Sequence, residues 1–315
     1  MLVNLDTKSL REAYGLSLVE LGKRDKNVVA LEADLGGSTR SALFKAAFPD
    51  RHFEMGIAEQ NMASTSAGLA LAGKIPFMNS FAVFASGRTF DQLRNSVCIP
   101  KLKVRVCGSS AGLSDFGDGK THQSIEDVAI MRALPNMSVL APADAVEVVK
   151  MMEHINEIHG PVYIRINRND LPTVTPLAED WKPGKLWTLR DGQDVVVFAN
   201  GVMLSKALEA AEALSREGMS VKVVNVSTIK PMNAEAVIAA VSGAKGIVTA
   251  EEGNIVGGFG SAILEVLRGV HHGPVEFVGV QDSFGISAKN YDEILERYGL
   301  TAAAIIQAAK KVAGG

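Results

Sequence analysis

The chain has 315 residues, 47% of them hydrophobic and 21% charged, with a formal net charge of −3. Single cores rarely grow past roughly 250–300 residues, so two domains are expected. The balance of charge gives no basic footprint for nucleic acid or an anionic membrane, and no apolar run reaches the roughly 18 residues of a membrane span. Cys98 and Cys107 are the two cysteines, with neither metal-ligand spacing nor a disulfide framework. The first residues, MLVNLDTKSLREAYG, lack the charged and apolar regions of a signal peptide. A cytoplasmic location is the economical reading.

In chain order, the first half alternates strand-like apolar runs with helical patterns. The strands are expected at Asn27–Asp34, Ile75–Phe81, Lys103–Ser110, Met137–Ala141 and Pro161–Asn167. Helices are expected near Ser9–Arg24, Glu59–Ala72, Arg88–Ile99, Ser124–Leu134 and Ala143–His159. Short continuous apolar strands between helices predict an α/β fold whose mostly parallel sheets are covered on both faces. Leu171–Lys185 breaks the pattern with three prolines, an acidic pair and a Trp, as a linker would. The alternation then resumes with strands at Asp194–Ala199, Val221–Val226, Gly246–Ala250 and Val275–Val280. Helices fall at Met203–Glu217, Ala234–Val241 and Ser261–Leu267, with more from Lys289. The expected domains are 1–170 and 187–315, joined by a linker over 171–186.

The stretch EMGIAEQNMASTSAGLALAG runs from Glu54 to Gly73. It begins extended, turns at Gly56 and enters a small-residue helix, so Glu59 falls in a first helical turn, where backbone N–H groups favour a carboxylate. An arbitrary Glu there simply decorates a helix start. Asp34 ends a strand in LEADLGGSTR, and strand C-termini are where α/β sheets place ligands. Phe81 and Phe84 follow an apolar strand in MNSFAVFASGRTFDQLR, in the pattern expected of ring-packing residues, with core packing the plainer use for Phe81. Asp118 and His122 lie on the glycine-rich loop of GDGKTHQSIEDVAIMRALPNMSVLAPAD, where the chain can approach a ligand closely.

The order and spacing of these blocks resemble the transketolase and deoxyxylulose-phosphate synthase pattern. That pattern has a Gly-Ile-x-Glu segment, an aromatic stretch, an Asp-Gly-x-Thr-His-Gln block, and Leu-Pro-Asn and Pro-Ala-Asp segments. The tail, with GVMLSKALEAAEAL and EEGNIVGGFGSAILEVL, is similar to the family's C-terminal domain. The resemblance implies a thiamine-diphosphate pyrimidine-binding fold followed by a transketolase C-terminal-like fold. It implies that Glu59 meets the cofactor's aminopyrimidine, in a site dry enough to hold a proton while sharing it. It implies that Phe84, with Phe81, packs on the pyrimidine and that Asp34 lies on the cofactor side. His122 would sit beside the thiazolium and the substrate carbonyl, and Asp118 would bind a sugar hydroxyl. Arg168 and Ser38 match phosphate contacts, a use that suits the planar fork of Arg. Lys8 falls where another basic residue is expected, although a lysine near a chain start is usually a solvated charge.

One position departs from the pattern. Ser110 stands where transketolases carry a substrate-binding histidine, which leaves a variant sugar phosphate possible. Gly117–Gly119 spells GDG, the opening of the family's diphosphate-and-metal motif, but Asn136 comes too soon to complete it. GGFGS at Gly257–Ser261 lacks the dinucleotide fingerprint and reads as a tight helix entry. His271 and His272 have no ligand partners at useful spacing.

The resemblance therefore implies a divalent metal (Mg or Ca) held by a separate N-terminal subunit, and a dimer of heterodimers. The second domain is expected to serve subunit pairing more than chemistry. The expected activity is transfer of a two-carbon ketol unit between a ketose phosphate and an aldose phosphate. Other readings are the β subunit of a 2-oxo acid dehydrogenase, a deoxyxylulose-phosphate synthase fragment, and a non-catalytic regulatory subunit that kept the fold.

Overall fold

The computed structural model describes residues 8–178 and 180–314. Its strands are β1 Val28–Glu32, β2 His52–Glu54, β3 Ile75–Phe81, β4 Arg105–Ser109, β5 Ser138–Leu140 and β6 Val162–Ile166 in the first half. In the second half they are β7 Trp187–Arg190, β8 Val195–Ala199, β9 Val221–Asn225, β10 Thr228–Lys230, β11 Gly246–Asn254 and β12 Val275–Val280. They form a seven-stranded sheet in the order β10-β5-β6-β4-β3-β1-β2 and a five-stranded sheet in the order β12-β11-β8-β9-β7. The pairings are parallel except β10 on β5 and β7 on β9. Both halves are therefore α/β with mostly parallel sheets, as the alternation predicted.

The buried strands show why apolar runs were continuous. In β1, Val28 and Ala30 face a core shared with Tyr14 and Leu18. Val29 and Leu31 face the opposite core, with Met62, Ala63 and Ala67. Successive side chains point to opposite faces, so a sheet covered on both sides needs an apolar residue at every position. The helix Leu10–Arg24 covers the first face beside Ala145–His154. It starts at Ser9, whose hydroxyl accepts the Glu12 N–H, and ends with Lys23 and Arg24 in its last turn. Glu59–Leu71 covers the second face.

Two elements differ from expectation. The helix placed at Arg88–Ile99 starts at Phe84 and is wound widely over Phe84–Arg88 and Leu93–Cys98, with one ordinary turn at Phe90–Gln92 between. Such widened turns recur at functional sites, and this one carries Phe84 and Arg88 on its first turn. The short strand β10 comes from the second half of the chain but completes the first sheet, pairing Thr228 with Leu140. Trp181, within the stretch read as a linker, is fully buried.

Glycine-rich Gly257–Ser261 does open a helix, Phe259–Leu267, and the Glu251 carboxylate accepts the first N–H groups of Phe259 and Gly260. That helix start is already occupied by an internal anion. Both cysteines are buried free thiols. Among the described residues no helix is long and apolar enough to cross a membrane.

Candidate active site

The carboxyl ends of β1, β2 and β3 converge on one cavity of about 330 Å³, walled by Asp34, Ile57, Glu59, Phe84, Arg88 and His122, among others. The turn at Asp34 is anchored by a pair of acids. Glu32, at the end of β1, accepts the Leu35 N–H at 2.7 Å, and Glu54, at the end of β2, accepts Asp34 N–H at 3.0 Å and Gly56 N–H at 2.9 Å. Burial, and then the hydrogen bond to Glu54, push the Glu32 carboxyl well above its usual range, while the same bond holds Glu54 low. One proton shared between two carboxyls is the physical consequence. It fixes the turn that carries Asp34, whose φ of 58° lies in the left-handed region that Asp tolerates.

Glu59 is the first residue of its helix, and its side chain is only 4% exposed. Its Oε1 accepts a hydrogen bond from the half-exposed Arg88 guanidinium at 2.8 Å. The same guanidinium lies 4.0 Å above the centroid of the Phe84 ring. Arg88 thus makes both contacts that a flat, nitrogen-bearing ring would make here: one to the carboxylate, one to the aromatic face. Phe84 stacks on Phe81 with centroids 6.2 Å apart and an interplanar angle of 17°. Phe81 is buried behind it, and only Phe84 of the two forms cavity wall. The His122 ring meets Phe84 edge-on at 5.5 Å and Phe81 at 6.2 Å. Its Nδ1 is 2.9 Å from the Thr121 hydroxyl, leaving Nε2 available to a ligand.

A second, charged cluster lies beside this cavity. Arg168 pairs with Asp115 at 2.7 Å, and its guanidinium carbon is 5.8 Å from the Phe81 centroid. Burial raises the Asp115 carboxyl despite Arg168, and the exposed Asp118 nearby raises it further. Arg11 donates to the Ser38 carbonyl at 2.9 Å, and its Nε is buried without a partner among the described residues. Burial first, then the like charges of Arg168 and Arg40, lower the Arg11 pKa. Arg40 is itself paired with Glu12 at 3.1 Å.

The structure therefore gathers Asp34, Glu59, Phe84 and His122 around one cavity and sets Arg168, Asp118 and Ser38 in the neighbouring cluster. Arg168 is not a bare anion grip, because Asp115 already takes its guanidinium. Lys8 is exposed, and its carbonyl accepts the Leu171 N–H at 3.0 Å. Ser110 is fully buried with φ 53° and its hydroxyl unpartnered among the described residues. Sequence reasoning missed Arg88, Arg11, Asp115 and the Glu32–Glu54 pair. Arg88 carried a signal, lying one helical turn after Phe84. The second domain, expected to serve subunit pairing more than chemistry, also bonds directly to the loop carrying His122.

The fit to thiamine diphosphate can be tested on these residues. A buried carboxylate facing an aromatic ring across a cavity suits the cofactor's pyrimidine end. Among the described residues no three His, Cys, Asp or Glu side chains come together as a metal-binding group.

Comparison with known proteins bears on the family and the fold. The family described as "Transketolase, pyrimidine binding domain" matches residues 6–174, and "Transketolase, C-terminal domain" matches residues 184–305. A Methanocaldococcus jannaschii protein described provisionally as a transketolase C-terminal section is 42% identical over 93% of this chain and 92% of its own. A 6-deoxy-6-sulfo-D-fructose transketolase subunit of Clostridium sp. (strain MSTE9) is 40% identical over 98% and 96%. A solved structure titled "Split gene transketolase, inactive beta4 tetramer" superposes with a TM-score of 0.88 at 44% identity, over 97% of this chain and 98% of that one.

Proposed function

From the chain's membership of the transketolase family, whose pyrimidine-binding and C-terminal domains it carries, we propose that it is the pyrimidine-binding subunit of a two-chain transketolase. In this reading it moves a two-carbon ketol unit between a ketose and an aldose that each bear a terminal oxyanion. The observation that carries the reading is Glu59: a buried carboxylate that lines one cavity with Phe84.

When bound, thiamine diphosphate supplies the nucleophilic carbon that carries the ketol unit between sugars. Glu59 Oε1 would hold a proton against a pyrimidine ring nitrogen, which through the ring would favour the basic form of the cofactor's amino group. Arg88 must first give up that oxygen and the Phe84 face. Phe84 would then pack on the ring, held in place by Phe81 behind it. Ile57, 74% exposed at the cavity's rim, lies on the side that a diphosphate- and metal-bearing partner chain would close. His122 Nε2 donates to, or moves a proton at, the substrate carbonyl oxygen. Asp118 accepts a sugar hydroxyl.

The terminal anion is met by Arg168 and Arg11, with Ser38 beside them. Asp115 offsets Arg168, and Arg11, near Asp170 and Asp115, would add a second positive charge. A sulfonate-bearing sugar in the name of one relative supports an anion site of this kind without fixing which anion it takes here.

Glu59→Ala in the reconstituted enzyme tests the reading. Activity should fall by about three orders of magnitude or more, since the general acid–base contribution and the cofactor's orientation are lost together, with subunit assembly intact by sedimentation. Turnover within a few fold of wild type would remove Glu59 from the chemistry.

A further inference from the structure

Residues 112–124 form the loop that carries Asp115, Asp118 and His122. Gly112 and Ser124 close its base by exchanging backbone hydrogen bonds of 2.8 and 2.9 Å. Above that base the loop is gripped from the second domain. The Leu113 N–H donates to Glu252 Oε1 at 2.9 Å, the Ala288 N–H to the Phe116 carbonyl at 2.8 Å, and Gln123 Nε2 to the Ile286 carbonyl at 2.9 Å.

Glu252 stands near the end of β11, 3% exposed. It also accepts the Tyr291 hydroxyl at 2.8 Å and Asn167 Nδ2 at 3.1 Å, so groups from both domains fix its carboxylate. Gly112 is the residue that admits it: φ is +67°, and a Cβ there would lie 2.4 Å from the Glu252 carboxyl carbon. A left-handed turn and a close approach coincide at one glycine. The adjacent Glu251 is equally buried, yet both its oxygens serve the helix start at Phe259 and Gly260. Neighbouring residues on one strand point to opposite faces. One carboxylate holds the second domain's own helix, the other the loop of the first.

We propose that Glu252 is a positioning residue for His122: through Leu113 it fixes the loop that sets the imidazole against Phe81 and Phe84. The second domain is then a working part of the site. Bonds from an amide to a buried carboxylate are among the stronger ones available to a loop. A displacement of about 1 Å in such a loop can cost about 100-fold in rate. The catalytic consequence rests on the role given to His122 above; the positioning itself does not.

Proton NMR of the His122 ring in the full chain reads the positioning directly, because the edge-on contacts at 5.5 and 6.2 Å place its protons in the ring currents of Phe84 and Phe81. Glu252→Ala should shift those resonances and speed amide exchange at Leu113. Glu251→Ala should lower the thermal midpoint and leave them in place. Unmoved resonances in Glu252→Ala, or equal movement in Glu251→Ala, would overturn the proposal. Should Glu252→Ala fail to fold, Gly112→Ala crowds the same carboxylate from the loop side and is read in the same way. In the reconstituted enzyme Glu252→Ala should lower kcat about 10- to 100-fold, with the Kd for thiamine diphosphate unchanged. A moved imidazole with unchanged kcat would count against the catalytic role of His122 while leaving the positioning intact.

Discussion

Glu59 and Arg88 meet because the helix at Glu59 and the winding at Phe84 both begin where parallel strands end. A carboxylate buried this deeply needs a donor, and among the described residues Arg88 supplies it. A more deeply buried acid follows different rules. Glu147 accepts the Ala143 N–H at 2.8 Å and Asn225 Nδ2 at 3.0 and 3.1 Å, and burial still pushes its carboxyl up to about 7. The folded chain therefore holds a proton on Glu147 up to near neutrality, whereas the unfolded chain releases it near the ordinary value of about 4.5. Stability from this group is full below that lower value and is lost as pH rises toward about 7, staying level above it. Glu147→Gln, a neutral stand-in for the protonated acid, should flatten the profile. Its unfolding free energy should gain about 1–3 kcal/mol on wild type between pH 5 and pH 8 in urea titrations. Parallel profiles for the two proteins would contradict the assignment.

At the scale of elements, the Pro-Ala-Asp segment has a structural explanation. Asp144 caps the helix Ala145–His154 through the Glu147 N–H at 2.9 Å, and its other oxygen accepts the Val174 and Thr175 N–H groups at 2.7 Å each. One buried carboxylate therefore starts a helix and pins the chain as it leaves the first sheet. Asp144→Ala strands three buried donors and should cost about 2–4 kcal/mol in denaturant unfolding. Asp144→Asn keeps one acceptor oxygen and should cost clearly less. Equal losses for both would show that the carboxylate's second oxygen has no such role.

The alternation of apolar strands with helices was readable because β1, β3, β4, β6, β8 and β9 are buried runs whose composition answers to two covered faces. β10 was not, because three residues carry too little pattern and its partner β5 is far off in sequence. Asp34, Glu59, Phe84 and His122 were readable as site candidates because each sits at a strand end or on its loop within a recognisable block. Arg88, Asp115 and Arg11 were not singled out. Their importance comes from neighbours brought in by folding: Glu59 for the first, Arg168 for the second, the Ser38 carbonyl for the third. Ser110, at the position where transketolases carry a substrate-binding histidine, is a fully buried residue in a left-handed conformation, a setting that sequence spacing does not reveal.

For the whole molecule, the two sheets are joined by more than a linker. β10 crosses into the first sheet, and the buried Arg165, ion-paired with Asp127 at 2.8 Å, also donates to the Glu252 carbonyl. The cavity is lined from the first domain, and the second domain braces the loop that carries His122. In the proposed enzyme the missing wall, with the diphosphate and metal grip, belongs to a partner chain. The direct measurement is ketol transfer by the purified chain, alone and mixed with its N-terminal partner, in the presence of thiamine diphosphate and Mg²⁺. The account predicts no turnover by the chain alone and robust, cofactor-dependent transfer by the pair. Robust turnover by the chain alone, or none from a pair shown to assemble and bind the cofactor, would contradict it.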